Sequence, residues 1–231
     1  MKHFFLSENN HNEIREFDFT KTQFILTKNI IIIWDIMEKP IDINKLNHAL
    51  RLLNEQLVLL DAPETSIVVC GGSALIAMSL VVRTTQDVDI VALIREGVLA
   101  DSEPLPSYLV NAAQKVEQVM NLPPNWLNNG PASQFQMGFP DGFASRLHPV
   151  VIGEKLTVNY IDRIDQIYFK TFASADRGGY HIADLKQLAP TDDELVKAAQ
   201  WCMTQDVSPE FRELLKSMFI QLGWPNVSEK L

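Results

Sequence analysis

Between Ile43 and Leu60 the leucines Leu46, Leu50, Leu53, Leu57 and Leu60 recur at steps of three and four. That spacing puts them on one stripe of an amphipathic helix, which Asp61-Ala62-Pro63 ends. Ser66 to Cys70 is a short apolar, β-branched run and predicts a buried strand. Two glycines, Gly71 and Gly72, follow at once, and a helix buried on most sides is expected over 73–82. In 87–93 polar and apolar residues alternate, Asp87 and Asp89 against Val88 and Ile90, which is the period of a strand. Ser107 to Met120 returns to a helical period.

Residues 121–131 are rich in Pro, Asn and Gly and predict a loop. The runs 147–152 and 156–160 read as two strands of a hairpin turning at Gly153-Glu154. Beyond Ile161 the pattern is helical: 163–174, 182–188, 192–203 and 209–222. Thr191, with Glu194 three residues on, forms a capping box, and Ser208-Pro209 marks another helix start. Strands gather in the first two thirds and helices in the last. The expected class is α+β, a small mixed sheet with a helical C-terminal part. The divisions expected are an N-terminal extension of unknown role over 1–37, a core over 38–160 and a helical subdomain over 161–231. In the extension, 24–33 reads as a strand or hairpin arm.

Composition narrows the partners. The 231-residue chain is 46% hydrophobic and 21% charged, with a net charge of -9, so it lacks the basic excess that marks nucleic-acid binders. Cys70 and Cys202 are too few for a disulfide framework and point to a reducing compartment. The most apolar early run, 30–34, is far shorter than the roughly 20 residues a spanning helix needs. Polar residues precede it, unlike a secretory signal. The expectation is a cytoplasmic protein with no membrane association.

Candidate chemistry lies in 67–90, IVVCGGSALIAMSLVVRTTQDVDI. A strand runs into Gly71-Gly72, which lets a ligand approach main-chain amides. The helix start behind them favours an anion, and Ser73 adds a hydroxyl. Asp87 and Asp89, two apart on a strand, share one face with about 7 Å between their Cα atoms. Such a pair repels unless a cation or solvent intervenes, and Mg²⁺ is typically held by one or two carboxylates plus substrate phosphates. Each half has a plain structural alternative: a tight strand–helix turn, and two solvated edge carboxylates. Their order along the chain, strand, glycines, helix, carboxylate strand, describes a metal–nucleotide site.

Gly71-Gly72-Ser73 followed by Asp87-Val88-Asp89-Ile90 resembles the signature of the nucleotidyltransferase (DNA polymerase β-like) superfamily. The run Arg83-Thr84-Thr85-Gln86-Asp87-Val88-Asp89, with Lys170, Asp176-Arg177 and Asp184-Leu185, resembles its bacterial branch of abortive-infection and toxin–antitoxin nucleotidyltransferases. The resemblance covers about 43–222 and implies the following roles. Gly71, Gly72 and Ser73 contact an NTP. Asp87 and Asp89 bind Mg²⁺ or Mn²⁺. Lys170 neutralises phosphate, its alternative being a snorkelling surface lysine. Asp184 is a base or third metal ligand, its alternative a capping or salt-bridged carboxylate, with Arg177 as partner. Arg83 pairs with a phosphate or with Asp87. The implied reaction transfers an NMP to an acceptor hydroxyl on RNA, protein or a small molecule, and the branch also implies a toxin or phage-defence role with an antitoxin partner.

One departure stands out. The superfamily usually places a third carboxylate on a strand after the Asp-x-Asp pair, and neither 147–152 nor 156–160 contains one. Asp162 and Asp184 are the remaining candidates. Without either, the protein reads as a catalytically degenerate nucleotide-binding or regulatory module; a kinase-like phosphotransferase is a third reading. Trp126-Leu127-Asn128-Asn129-Gly130-Pro131 either docks a substrate or pins a long loop to the core. His148 and His181 lack metal-spaced partners. Gly-x-Ser-x-Gly and Gly-x-x-x-x-Gly-Lys are absent, against an α/β-hydrolase and a P-loop NTPase. Trp201, Phe211, Phe219 and Trp224 read as core.

Overall fold

The computed structural model describes residues 40–231, which belong to one compact unit. The expectations for 1–37 lie outside the described residues. Asp42 caps helix α1 (Ile43–Leu59) by accepting from the Lys45 amide, and Leu46, Leu50, Leu53 and Leu57 are buried along its stripe. Each such burial stabilises by about 1.5–3 kcal/mol. The chain then forms β1 (Thr65–Cys70), α2 (Gly71–Ala77), β2 (Val88–Arg95), β3 (Val98–Ala100) and α3 (Ser107–Met120). A short β4 (Leu127–Asn128), α4 (Ser133–Met137), β5 (His148–Val151) and β6 (Leu156–Tyr160) follow. Helices α5 (Arg163–Asp176), α6 (Tyr180–Gln187), α7 (Asp192–Gln205), α8 (Pro209–Leu222) and α9 (Pro225–Glu229) complete an α+β fold.

The sheet runs β3-β2-β1-β6-β5, with β4 beside β2. Pairs β1–β6 and β2–β4 are parallel; β1–β2, β2–β3 and β5–β6 are antiparallel. Helix α2 is shorter than expected. Ser79 adopts a left-handed φ of 57° and Val82 is 99% exposed, so the apolar run past Ala77 is a turn rather than buried helix. The Thr191–Glu194 capping box and the Ser208 cap form as read. Trp201, Phe211 and Phe219 are buried, and Trp201 stacks on Phe169 of α5 at 5.6 Å, tying α7 to α5.

A bulge decides which face the aspartates take. Val68 pairs Ala92 and Val69 pairs Ile90, so Val91 is an extra residue in β2. Val91 and Ala92 both pack with Val68, Cys70 and Phe143, whereas Ile90 and Val88 pack with Val69 in the other cluster. The extra residue resets the alternation. Asp89, opposite Cys70, thereby joins the Cys70 side, where α5 and the cleft described next lie.

Candidate functional site: a cleft between the glycine turn and helix α5

At the end of β1, Gly71 takes φ +68°, a backbone conformation open to glycine. A Cβ there would stand 2.5 Å from Asp89 Oδ2. One residue on, a Cβ on Gly72 would stand 2.6 Å from Thr85 Oγ1 and 2.8 Å from Arg83 Nη2. Bare backbone is therefore packed against a carboxylate on one side and a guanidinium on the other. Ser73 is different. It is fully buried and donates its hydroxyl to the Cys70 carbonyl at 3.4 Å, so it closes the turn and does not line the cleft as expected.

Asp87 and Asp89 are half-buried. Thr85, held by reciprocal backbone bonds to Ile41, donates its hydroxyl to Asp87 Oδ1 at 3.3 Å. Burial, then the neighbouring Asp87, pushes Asp89 up to about 6, against a hydrogen bond from Asn128 and the fields of Lys170 and Arg177. The pair thus carries negative charge that the protein only partly offsets. Among the described residues no group of three or more His, Cys, Asp or Glu side chains is arranged to hold a metal. Two half-buried carboxylates on the wall of the cleft fit a hard cation that takes its other ligands from phosphate and water.

Lys170 and Arg83 are bound to one carboxylate. Asp184 is 1% exposed and accepts from Arg83 Nε (2.8 Å), Arg83 Nη2 (2.9 Å) and Lys170 Nζ (2.7 Å). Burial raises its affinity for a proton, but the bonds from Arg83 and Lys170 outweigh that and hold it below the usual carboxylate range. Asp184 therefore serves as the anchor of two cations, and its partner is not Arg177. Arg83 likewise pairs with Asp184 rather than Asp87. Lys170 is 4% exposed, which removes the snorkelling alternative.

These groups border a cleft of about 680 Å³, lined by the glycine turn, Arg83, Asp87 and Asp89 on one side and by α5 and Tyr180 on the other. Tyr180 is 64% exposed, with Lys170 Nζ 5.5 Å and Arg83 Cζ 5.8 Å from its ring centre. Gln166 and His181 also line it. Among the described residues the Gln166 amide and His181 Nδ1 are buried without a hydrogen-bond partner, and burial, then Lys170, lowers His181 to about 4. A second hollow, about 710 Å³ by Arg95, Glu103 and Tyr108, has neither glycine turn nor aspartate pair.

A family model described as "Nucleotidyltransferase of unknown function (DUF6036)" matches residues 45–206. The chain belongs to this family. No curated protein and no solved structure matches it. The DUF6036 match spans every cleft residue named above.

Neither candidate for the third carboxylate joins the pair in this DUF6036 chain. Asp162 caps α5 through the Ile164 amide and bonds His148 Nε2 at 2.7 Å, and it does not line the cleft. Asp184 is neutralised as described. Asp89 is flanked by β1 on one side, with Cys70 opposite, and by β4 on the other, with Asn128 in register. The Trp126 loop resolves toward its structural role: Trp126 is 1% exposed and its indole N–H donates to Ala113 O at 3.0 Å. Sequence reading assigned no role to Thr85, Tyr180 or Asn128. Thr85 and Asn128 lay inside runs already singled out, but a hydroxyl or amide carries no periodic signal of its own.

Proposed function

We propose that this protein is a divalent-cation-dependent nucleotidyltransferase that moves an NMP from an NTP to an acceptor hydroxyl. One observation carries the reading. The Gly71-Gly72 backbone lies against Asp89 and Arg83, so amide donors, carboxylates and a cation converge where a triphosphate and its metal would sit. Asp87 and Asp89 would hold Mg²⁺ or Mn²⁺, which when bound neutralises phosphate charge and lowers the barrier to in-line displacement. The first-turn amides of Gly71 and Gly72 lack intrahelical acceptors and bind phosphate oxygens. Arg83 and Lys170, fixed by Asp184, supply positive charge across the cleft. The acceptor oxygen attacks the α-phosphorus, the bond to the bridging oxygen breaks, and pyrophosphate leaves. The hydroxyl proton passes to water or to a carboxylate of the cleft, Asp87, Asp89 or Asp176.

The acceptor is RNA, a protein or a small molecule; the acidic balance places no weight on tRNA over the others. A toxin or phage-defence role with an antitoxin partner follows only from the family-branch resemblance. Among the described residues no helix is long and apolar enough to cross a membrane, and Cys70 and Cys202 are free and buried, which supports a cytoplasmic setting. A second reading, a nucleotide-binding module without transfer, is favoured by the pair having no third carboxylate among the described residues.

The test is incubation of each α-³²P-labelled NTP with Mg²⁺ and cell extract, beside the Asp87→Asn/Asp89→Asn double variant. Label entering a macromolecule or small product is expected to fall at least about 100-fold in the variant, some 3 kcal/mol. NTP binding without transfer by the unaltered protein supports the second reading, and release of ADP or GDP in place of pyrophosphate indicates a kinase.

A further inference from the structure

Asn128 is built into the structure more firmly than a loop residue requires. Val88 N–H donates to Trp126 O at 2.5 Å, and β4 continues in parallel register with Asp89 opposite Asn128. Trp126 is anchored on α3, and Asn129 donates its side-chain amide to Ser102 O at 2.9 Å and to Glu103 Oε2. Asn128 Oδ1 accepts the Gly130 N–H at 2.7 Å.

That last bond fixes chemistry. A backbone N–H can only donate, so the end of the amide facing Gly130 is the carbonyl. The remaining end is the NH₂, and the parallel register that sets Asn128 opposite Asp89 turns it to the side of the Asp89 carboxylate. Asn128 then presents its NH₂, and not its oxygen, to the aspartate pair. It can hold Asp89 in one orientation, and being neutral it leaves the carboxylate's charge in place, unlike the cations on Asp184.

We propose that Asn128 is the positioning residue of the cation pair: locked by Gly130, its amide orients Asp89 toward a divalent cation without neutralising it. This rests on the reading of Asp87 and Asp89 as cation ligands. Groups that orient metal ligands through hydrogen bonds typically change metal affinity 10–100-fold when removed.

The experiment is Mn²⁺ binding to the full chain by electron paramagnetic resonance, without nucleotide, at about pH 8, where carboxylates are ionised. The proteins are the unaltered chain, Asn128→Ala, Asn128→Asp and Asp87→Asn/Asp89→Asn, with melting curves to verify folding. Asn128→Ala is expected to weaken Mn²⁺ by about 10-fold or more. Asn128→Asp keeps an acceptor for Gly130 but turns a carboxylate oxygen toward Asp89, so it binds Mn²⁺ more tightly than the unaltered chain. An Asn128→Ala affinity within about two-fold of the unaltered chain overturns the proposal. So does an Asn128→Asp affinity equal to it, which would reduce Asn128 to an acceptor for the loop. Mn²⁺ binding that the Asp87→Asn/Asp89→Asn variant retains in full overturns the cation reading itself, and this proposal with it.

Discussion

The aspartate pair of the cleft and the buried Asp184 beneath Arg83 and Lys170 are built on opposite plans. Asp184 is 1% exposed and takes three donors from Arg83 and Lys170, which hold its proton affinity down. Asp87 and Asp89 are ion-paired to no cation among the described residues, and burial, then the charge of Asp87, raises Asp89 to about 6 against the fields of Lys170 and Arg177. The sequence motifs gave both clusters a part in chemistry. A buried carboxylate that is fully compensated is scaffold; one left short of positive charge is a place for a cationic ligand.

The contrast can be broken by measurement. The largest effect is expected at Asp184. Asp184→Ala leaves Lys170, 4% exposed, and the half-buried Arg83 without a counter-ion, and chemical denaturation should show a loss of about 3–5 kcal/mol. A loss under about 1 kcal/mol would mean that Asp184 is not scaffold.

The opposite sign is expected at Asp89. Its proton affinity rises on folding from 3.8 to about 6, so the native state binds the proton more tightly than the unfolded chain. That group favours folding in acid and opposes it increasingly as pH climbs from about 4 through 6. Without metal, Asp89→Asn should therefore stabilise the protein at about pH 7.5 by on the order of 2 kcal/mol, with the gain vanishing near pH 4. Equal effects at both pH values would show that Asp89 carries no unmet charge.

Much of the fold was legible because long helices repeat their signal over several turns: Ser107–Met120 and Pro209–Leu222 end where the pattern ends. The extra Val91 in β2 was not legible, since a bulge leaves composition unchanged while reversing which face Asp89 occupies. Nor was β4, because two residues inside a Pro- and Asn-rich loop have no period. Within the candidate site, glycines and paired aspartates could be read from spacing. The partner of Asp184 could not, because Arg83 and Asp184 are 101 residues apart. Ser73 read as a ligand group from its neighbours, yet its hydroxyl turns back onto Cys70.

The most direct test of the central claim, that Asp87 and Asp89 form a cation site completed by nucleotide, is thermal unfolding at about pH 7.5 with Mg²⁺, a non-hydrolysable NTP, or both. A ligand present at 100 times its dissociation constant stabilises by about 2.7 kcal/mol. A clear rise in melting temperature is expected when Mg²⁺ and nucleotide are added together, a smaller rise with either alone, and no joint effect in Asp87→Asn/Asp89→Asn. A joint rise that survives in the variant, or none in the unaltered protein with any of the four nucleotides, would contradict it.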